Sequence, residues 1–332
     1  MEITYLRDIA HCEPTPYVRM VTIDTIGPAD NSDFLDKVSF KEMGWNAISQ
    51  KGLHEAGKQV MFIPAESVIP YELSEELEVT KYLSKGRVRV VKFRGNRSEG
   101  LIVDREKVEP YLPYIMKWED KPTVQMQGQT QSPSDVAMDF CKFYKMPNIL
   151  NEPNIFAIGE EIFHSEKLHG TNTRCGNLRH PQTEEYQFYV GSHNNVLKET
   201  EKNLYWRILK QYKEKMPRDV VFFGEIFGMG VQHLHYGAKE PKVVFFAAMR
   251  NYKYLPIPTF CQLCCENDLP HVAFHTTRYE SVEQIRELAD SPSECNSDIR
   301  EGVVLVSIAF PERMAKCIGF KYQTRKNKTE RH

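Results

Sequence analysis

Short strand-like segments, punctuated by Gly and Pro, fill the first third of the chain. Tyr17 to Ile26 is rich in Val, Ile, Thr and aromatic residues and predicts a strand closed by Gly27-Pro28. Gln59 to Ile63 predicts another, stopped by Pro64. In a third, Arg87 to Arg94, side chains alternate, so Arg87 and Arg89 share one face and Val88 and Val90 the other. The turn Gly95 to Gly100 leads to a fourth strand at Leu101 to Val103. This pattern suggests a small β-barrel or sandwich, and an OB-like barrel is the expected form.

Between Trp118 and Asp135 the chain becomes polar and rich in Gln, with Pro122, Gly128 and Pro133, which reads as a linker. The expected division is therefore 1–125 and 126–332. Beyond it, Ile155 to Phe163 predicts a strand, and Gln187 to Val190 another that ends in Gly191-Ser192-His193-Asn194. A helix is expected from Glu201 to Lys215, where Leu204 and Ile208, and Tyr205 and Leu209, lie four apart and Pro217 is the stop. Val220 to Phe223 is apolar and leads to Gly224-Glu225-Ile226, and Val243 to Ala248 is short enough for a buried strand. Ser281 and Gln284 form a capping-box pattern before a second helix. Arg300 to Val306 and the lysine-bearing segment Gly319 to Gln323 complete the expected strands.

Composition narrows the class. With 332 residues, 27% charged and 41% hydrophobic, the chain suits a globular protein of two domains. Its formal net charge is −2, so any nucleic-acid contact must come from a local basic surface. Such a surface is offered by Lys85, Arg87, Arg89, Lys92, Arg94 and Arg97, with no acidic residue between them. A solvated edge strand protected by charge would have the same composition. No N-terminal apolar region or long apolar run is present, which sets the expectation of an intracellular, cytoplasmic protein without a membrane span. The eight cysteines are scattered and read mostly as free thiols. Cys261, Cys264 and Cys265, with His271, His275 and Cys295 downstream, form the one cluster that suggests zinc, and no second paired spacing follows it.

The stretch Ser165-Glu166-Lys167-Leu168-His169-Gly170-Thr171-Asn172 carries the candidate chemistry. A lysine attacks phosphorus only as the free amine, so Lys167 as a nucleophile requires cations or desolvation to lower its pKa. Gly170 would let the backbone approach a nucleotide, and Thr171 and Asn172 offer polar groups for ribose or phosphate. Alone, this match equally describes a surface lysine before a turn. The ordered series downstream of it is more specific: Gly224-Glu225-Ile226, a Phe-bearing apolar strand, Glu301-Gly302-Val303-Val304, then Lys321.

That series resembles covalent nucleotidyltransferases, and in the form Glu166-Lys167-Leu168-His169-Gly170-Thr171-Asn172 it resembles the ATP-dependent RNA ligases, specifically the Deinococcus-type nick-sealing group. Gly44-Trp45, Gly57 to Ile63 and Arg87 to Leu101 are similar to that group's N-terminal OB domain. The resemblance implies an α+β protein: an OB-like barrel, then a mainly antiparallel-sheet adenylyltransferase domain with flanking helices. It implies that Lys167 forms a lysyl-AMP from ATP and passes AMP to an RNA 5′-phosphate, which a 3′-OH then displaces, in a nicked duplex and as a monomer. Glu225 and Glu301 would hold Mg2+ or Mn2+, and Phe246 would stack on adenine, with Phe245 the alternative if the strand register shifts by one. Glu166 would border the base, His169 and Gly170 would line the nucleotide site, and Asn172 and His193 would face ribose or the RNA terminus. Lys321 would contact the AMP phosphate, and Arg87, Arg89, Lys92, Arg94 and Arg97 would bind RNA. Two departures stand out. Gln323 replaces the second lysine of a Lys-x-Lys pair, with Arg325 or Lys326 as substitutes, and His193 stands where many RNA ligases carry Arg. A capping-type guanylyltransferase, a DNA ligase or a non-catalytic RNA-binding protein of the same fold are the alternative readings.

Overall fold

The computed structural model describes residues 3–118, 130–295 and 299–325. The protein is mixed α/β and rich in sheet, and it divides into two compact units. One comprises Met1–Pro122, Ile149–Asn154 and Gln323–His332, the other Thr123–Asn148 and Ile155–Tyr322, as far as the described residues go.

In the first unit, strands Arg19–Pro28, Leu35–Phe40, Asn46–Gln50, Gln59–Pro64 and Gly100–Val103 form one antiparallel sheet. Asn46–Gln50 and Gly100–Val103 are its two outer strands. Hydrogen bonds link these ends: Glu99 N–H donates to the Asn46 carbonyl (2.9 Å), Asn46 N–H to Glu99 Oε2 (2.9 Å) and Ile48 N–H to Ser98 Oγ (3.2 Å). The first strand runs through Gly27-Pro28 instead of stopping there. Pro lacks an N–H, and at a strand end its missing donor costs little.

The basic segment is not one strand. It breaks into a hairpin, Val91–Phe93 against Asn96–Ser98, whose turn residues Arg94 and Gly95 both have positive φ (48° and 99°). Two successive left-handed residues make the tight turn that matches strand twist, which interrupts the expected run at Arg94. Val88 and Val90 are nevertheless buried (2% and 6% exposed), so the separation of apolar from charged side chains holds without a continuous ladder.

In the second unit, two antiparallel sheets face each other. One has the strand order His275–Arg278, Glu161–Lys167, Gly302–Ser307, Met314–Ile318; the other has Tyr186–Ser192, Thr171–Arg179, Val221–Phe227, Lys242–Arg250, Lys253–Tyr254. Tyr189, Phe223 and Ala247 of the five-stranded sheet and Val306 and Met314 of the four-stranded one share a core. The opposite face of the five-stranded sheet is covered by helices Leu204–Leu209 and Ile257–Glu266, through Phe222, Phe245, Leu209, Phe260 and Cys264. Both faces are thus dry, which is why Val220 to Phe223 reads as an unbroken apolar run.

Several expected boundaries move. The strand carrying Lys167 begins at Glu161, and Ile155 to Glu160 are turns before it. The expected 201–215 helix is α-helical only over Leu204–Leu209 and continues as a 3-10 turn over Lys210–Lys215. At Ser281 the hydroxyl accepts from Gln284 N–H as the capping box requires, but Gln284 Oε1 accepts from Glu280 N–H, one residue earlier than the box predicts. Phe320–Gln323 is a short helix and not a strand. Most of the predicted linker falls outside the described residues; within them, Gln131 N–H bonds the Val196 carbonyl at 2.9 Å. Among the described residues no helix is long and apolar enough to cross a membrane.

Asn203 caps its helix by accepting from Tyr205 and Trp206 N–H (3.0 and 3.3 Å). Asn203→Ala should lower unfolding free energy by about 1 kcal/mol, read by denaturant titration.

Candidate active site

Lys167 ends its strand opposite Gly302, so Glu301 lies just outside the register and comes beside it. Lys167 Nζ donates to Glu301 Oε1 at 2.8 Å, and the two side chains keep only 23% and 12% exposure. The second carboxylate arrives from the other sheet. Glu225 sits opposite Asn172 on adjacent strands and accepts from the Gly170 N–H. Gly170 is needed here for packing: a Cβ would run into the Ile226 carbonyl oxygen and press on Glu225 Cγ at 3.0 Å. The close approach seen here is to the neighbouring strand.

Charge in this site departs from the expectation for a free amine. Burial alone would lower the Lys167 pKa, but Glu301 and Glu225 outweigh it and hold the ammonium above its ordinary value. The two carboxyls separate. Burial, with the charge of Glu301 and against that of Lys167, pushes Glu225 up to about 8. Glu301 is equally opposed by burial, yet Lys167 and His169 bring it down to about 2. One carboxylate therefore pairs with the ammonium, and the other is largely neutral at pH 7.

His169 joins through two tyrosines. Its N–H donates to Tyr236 Oη (2.7 Å), and its Nδ1 lies 2.8 Å from Tyr322 Oη and 3.7 Å from Glu301 Oε2. Neither tyrosine stands out in the sequence. Tyr322 lies in plain view between Lys321 and Gln323, but a strand reading gives it no special face.

Two buried oxygens, Asn172 Oδ1 and Glu301 Oε2, have no hydrogen-bond partner among the described residues. Together with the Glu225 carboxyl, they form an oxygen-rich donor set suited to Mg2+ or Mn2+, which take few protein ligands and retain water. No group of three His, Cys, Asp or Glu side chains among the described residues forms a metal cage. That includes the suspected zinc cluster, whose Cys264 is buried in the apolar core and whose Cys265 Sγ meets only His271 Nε2, at 3.9 Å.

Other expected site residues fall in different places. Glu166 faces away from Lys167, as strand alternation demands, and accepts from Ser293 Oγ and Glu294 N–H, each at 2.7 Å. Thr171 likewise faces Tyr205, with the two hydroxyl oxygens 2.8 Å apart. His193 follows the strand Tyr186–Ser192 in a turn, half-buried. Lys321 is exposed and spends its ammonium on the Asp290 carbonyl (2.9 Å). Gln323 Oε1 is buried with no hydrogen-bond partner among the described residues, and Lys326 lies outside them.

Of the two aromatic candidates, Phe245 is fully buried in the helix-covered core. Pairing shifts from Phe223–Ala247 to Gly224–Phe245, which leaves Phe246 as the extra residue of a bulge. A bulge redirects a side chain, and Phe246 remains partly buried against Phe143, with ring centroids 5.0 Å apart, and close to the cluster of Leu168, Tyr236 and Val272.

The site thus brings together a lysine pinned by one carboxylate and a second carboxylate opposite it. Residues 160–318 match the model of the RNA ligase family, a stretch that contains Lys167, Glu225 and Glu301 and makes this an enzyme of the RNA ligase class. No curated protein matches the chain significantly. Among solved structures, a mutant Naegleria gruberi RNA ligase without ligand has a TM-score of 0.77 at 20% identity, covering 94% of this chain and 98% of that one. A second mutant of that ligase, with ATP and Mn, gives 0.77 at 20% identity over 92% and 98%. A third, with AMP and Mn, gives 0.78 at 20% identity over 93% and 98%. At that identity the likeness is one of fold.

Removing the negative charge at position 301 takes away the larger of the two charges that hold the proton, so Lys167 in Glu301→Gln should lose its proton at lower pH than in wild type. In the metal-free protein its modification by an amine-directed reagent at pH 8 to 9, followed by mass spectrometry, should be faster than in wild type.

Proposed function

We propose that this protein is an ATP-dependent RNA ligase that joins 3′-OH and 5′-phosphate RNA ends through a lysyl-AMP, at nicks in duplexes, as in the Deinococcus-type group. The observation that carries the reading is the Lys167–Glu301 pair with Glu225 facing it, inside the stretch that matches the RNA ligase family. The ATP and Mn bound to the Naegleria enzyme of the same fold support ATP as the nucleotide and a divalent cation as cofactor.

In this reading Lys167 attacks the α-phosphorus as the free amine; a P–N bond forms and the bond to pyrophosphate breaks. The AMP then passes to the RNA 5′-phosphate, and the 3′-hydroxyl displaces it. Each step is an in-line substitution at phosphorus, so alignment and charge neutralisation supply most of the catalysis. Glu225 and Glu301 would hold the divalent cation, which supplies positive charge against the phosphate oxygens. A cation held by these carboxylates would weaken their hold on the Lys167 proton, making the amine available. Phe246 stacks on adenine, Asn172 and His193 face ribose or the RNA end, and Glu166 backs the base pocket through the loop it anchors.

The first unit acts as the RNA-binding OB-like domain, and the remainder as the adenylyltransferase. Its cations are not equivalent. Arg87 pairs with Glu66 and lies over Trp118 at 4.9 Å, and Arg97 is 3.7 Å from Glu99, whereas Lys92 and Arg94 are exposed at the hairpin tip. Arg89 is half-buried.

Incubation with α-labelled ATP and Mg2+ or Mn2+ should label the protein covalently, and Lys167→Ala should abolish the label. Glu225→Ala and Glu301→Ala should each slow labelling by roughly 100-fold or more. Label from GTP in preference to ATP would indicate a capping-type enzyme instead, and sealing only of DNA nicks a DNA ligase. Changing Lys92 and Arg94 together to Ala should reduce the slope of log affinity for RNA against log salt by about 1.5, because each phosphate contact contributes roughly 0.7 to 0.9.

A further inference from the structure

Tyr322 is the residue through which the C-terminal helix reaches the nucleophile. Phe320–Gln323 is helical, so neighbouring side chains point about 100° apart and residues two apart face nearly opposite ways. A pair of lysines at positions 321 and 323 would share a face in a strand and cannot do so here. The helix sends Lys321 to the Asp290 carbonyl and Tyr322 to His169. Tyr322 is 8% exposed, and its ring meets the imidazole edge-on, with centroids 5.5 Å apart.

Three groups converge on His169. Its backbone is held by Tyr236, its Nδ1 is 2.8 Å from Tyr322 Oη, and the same nitrogen stands 3.7 Å from Glu301 Oε2, whose other oxygen holds Lys167. A phenol that donates into Nδ1 places the imidazole proton on Nε2 and keeps the ring from turning onto Glu301. We propose that Tyr322 is a positioning residue for adenylyl transfer: its hydroxyl orients His169 in the Nε2–H form, leaving Glu301 to Lys167 and one ring N–H as a donor for a phosphate oxygen of the nucleotide. This rests on the ligase reading for its substrate, while the orientation of His169 does not.

The test is Tyr322→Phe in the full-length protein, which keeps the ring and removes the hydroxyl. The single-turnover rate of lysyl-AMP formation should fall roughly 10- to 100-fold, as when a supporting hydrogen bond to a site residue is lost, with the half-saturating ATP concentration changed less than about twofold. Nitrogen-15 NMR of the histidine side chains should show His169 as Nε2–H in wild type and as a mixture of tautomers in the variant. In a His169→Ala background the same change should cost nothing further, since coupled residues are not additive. An unchanged rate and tautomer, or equal losses in both backgrounds, would overturn the proposal. So would a loss explained by a lower melting temperature alone. If the wild type forms no adenylate at all, the ligase reading fails, and the NMR comparison still decides whether Tyr322 sets His169.

Discussion

The contact between Lys167 Nζ and Glu301 Oε1 ties the end of one strand to the residue just before its antiparallel partner, and the rest of the site is arranged around the charge it places there. An ammonium in so little water needs an anion, and a buried pair of this kind is weak evidence for stability, because the attraction roughly repays the desolvation of both ions. Its value is chemical. Glu225 comes from the opposite sheet to the same ammonium, so both sheets must keep their register for the three groups to meet. Gly170 and Gly302 permit this, since a Cβ at either would strike a backbone carbonyl of the next strand.

The pair also sets the resting state of the enzyme. With both carboxylates facing it, the Lys167 amine keeps its proton. In the proposed function, a divalent cation held by Glu225 and Glu301 would weaken that hold on the proton. Glu225, pushed up to about 8 by burial, is largely neutral at pH 7.

Aromatic and phenolic groups supply the precision that charge alone lacks. The bulge leaves Phe246 packed against Phe143 and near the cluster of Leu168 and Tyr236, while Phe245 stays in the helix-covered core. Tyr236 and Tyr322 hold His169 from two directions, one at its backbone and one at its ring. Glu166 does comparable work on the outer face of the strand, fastening Ser293 and Glu294.

Residue types and their order along the chain carried much of the outcome. Val, Phe and Ile runs located the strands at Val221–Phe227, Lys242–Arg250 and Gly302–Ser307, since an apolar block of that length has few alternatives to a buried strand. That Lys167, Glu225 and Glu301 belong to one ordered series was legible too, and the fold brings the three together. What the chain could not reveal is direction. Whether Arg94 turns a hairpin or extends a strand depends on two positive φ angles. Whether Lys321 faces the nucleotide depends on the last segment being helix instead of strand, and its pattern is too short to show a period. The sign of the Lys167 pKa shift was likewise out of reach, because it depends on Glu225 and Glu301, 58 and 134 residues away in sequence, arriving at one buried point. Sequence determined which groups are present and which segments are dry; only tertiary packing decided which charges meet, and electrostatics acts through distance in space.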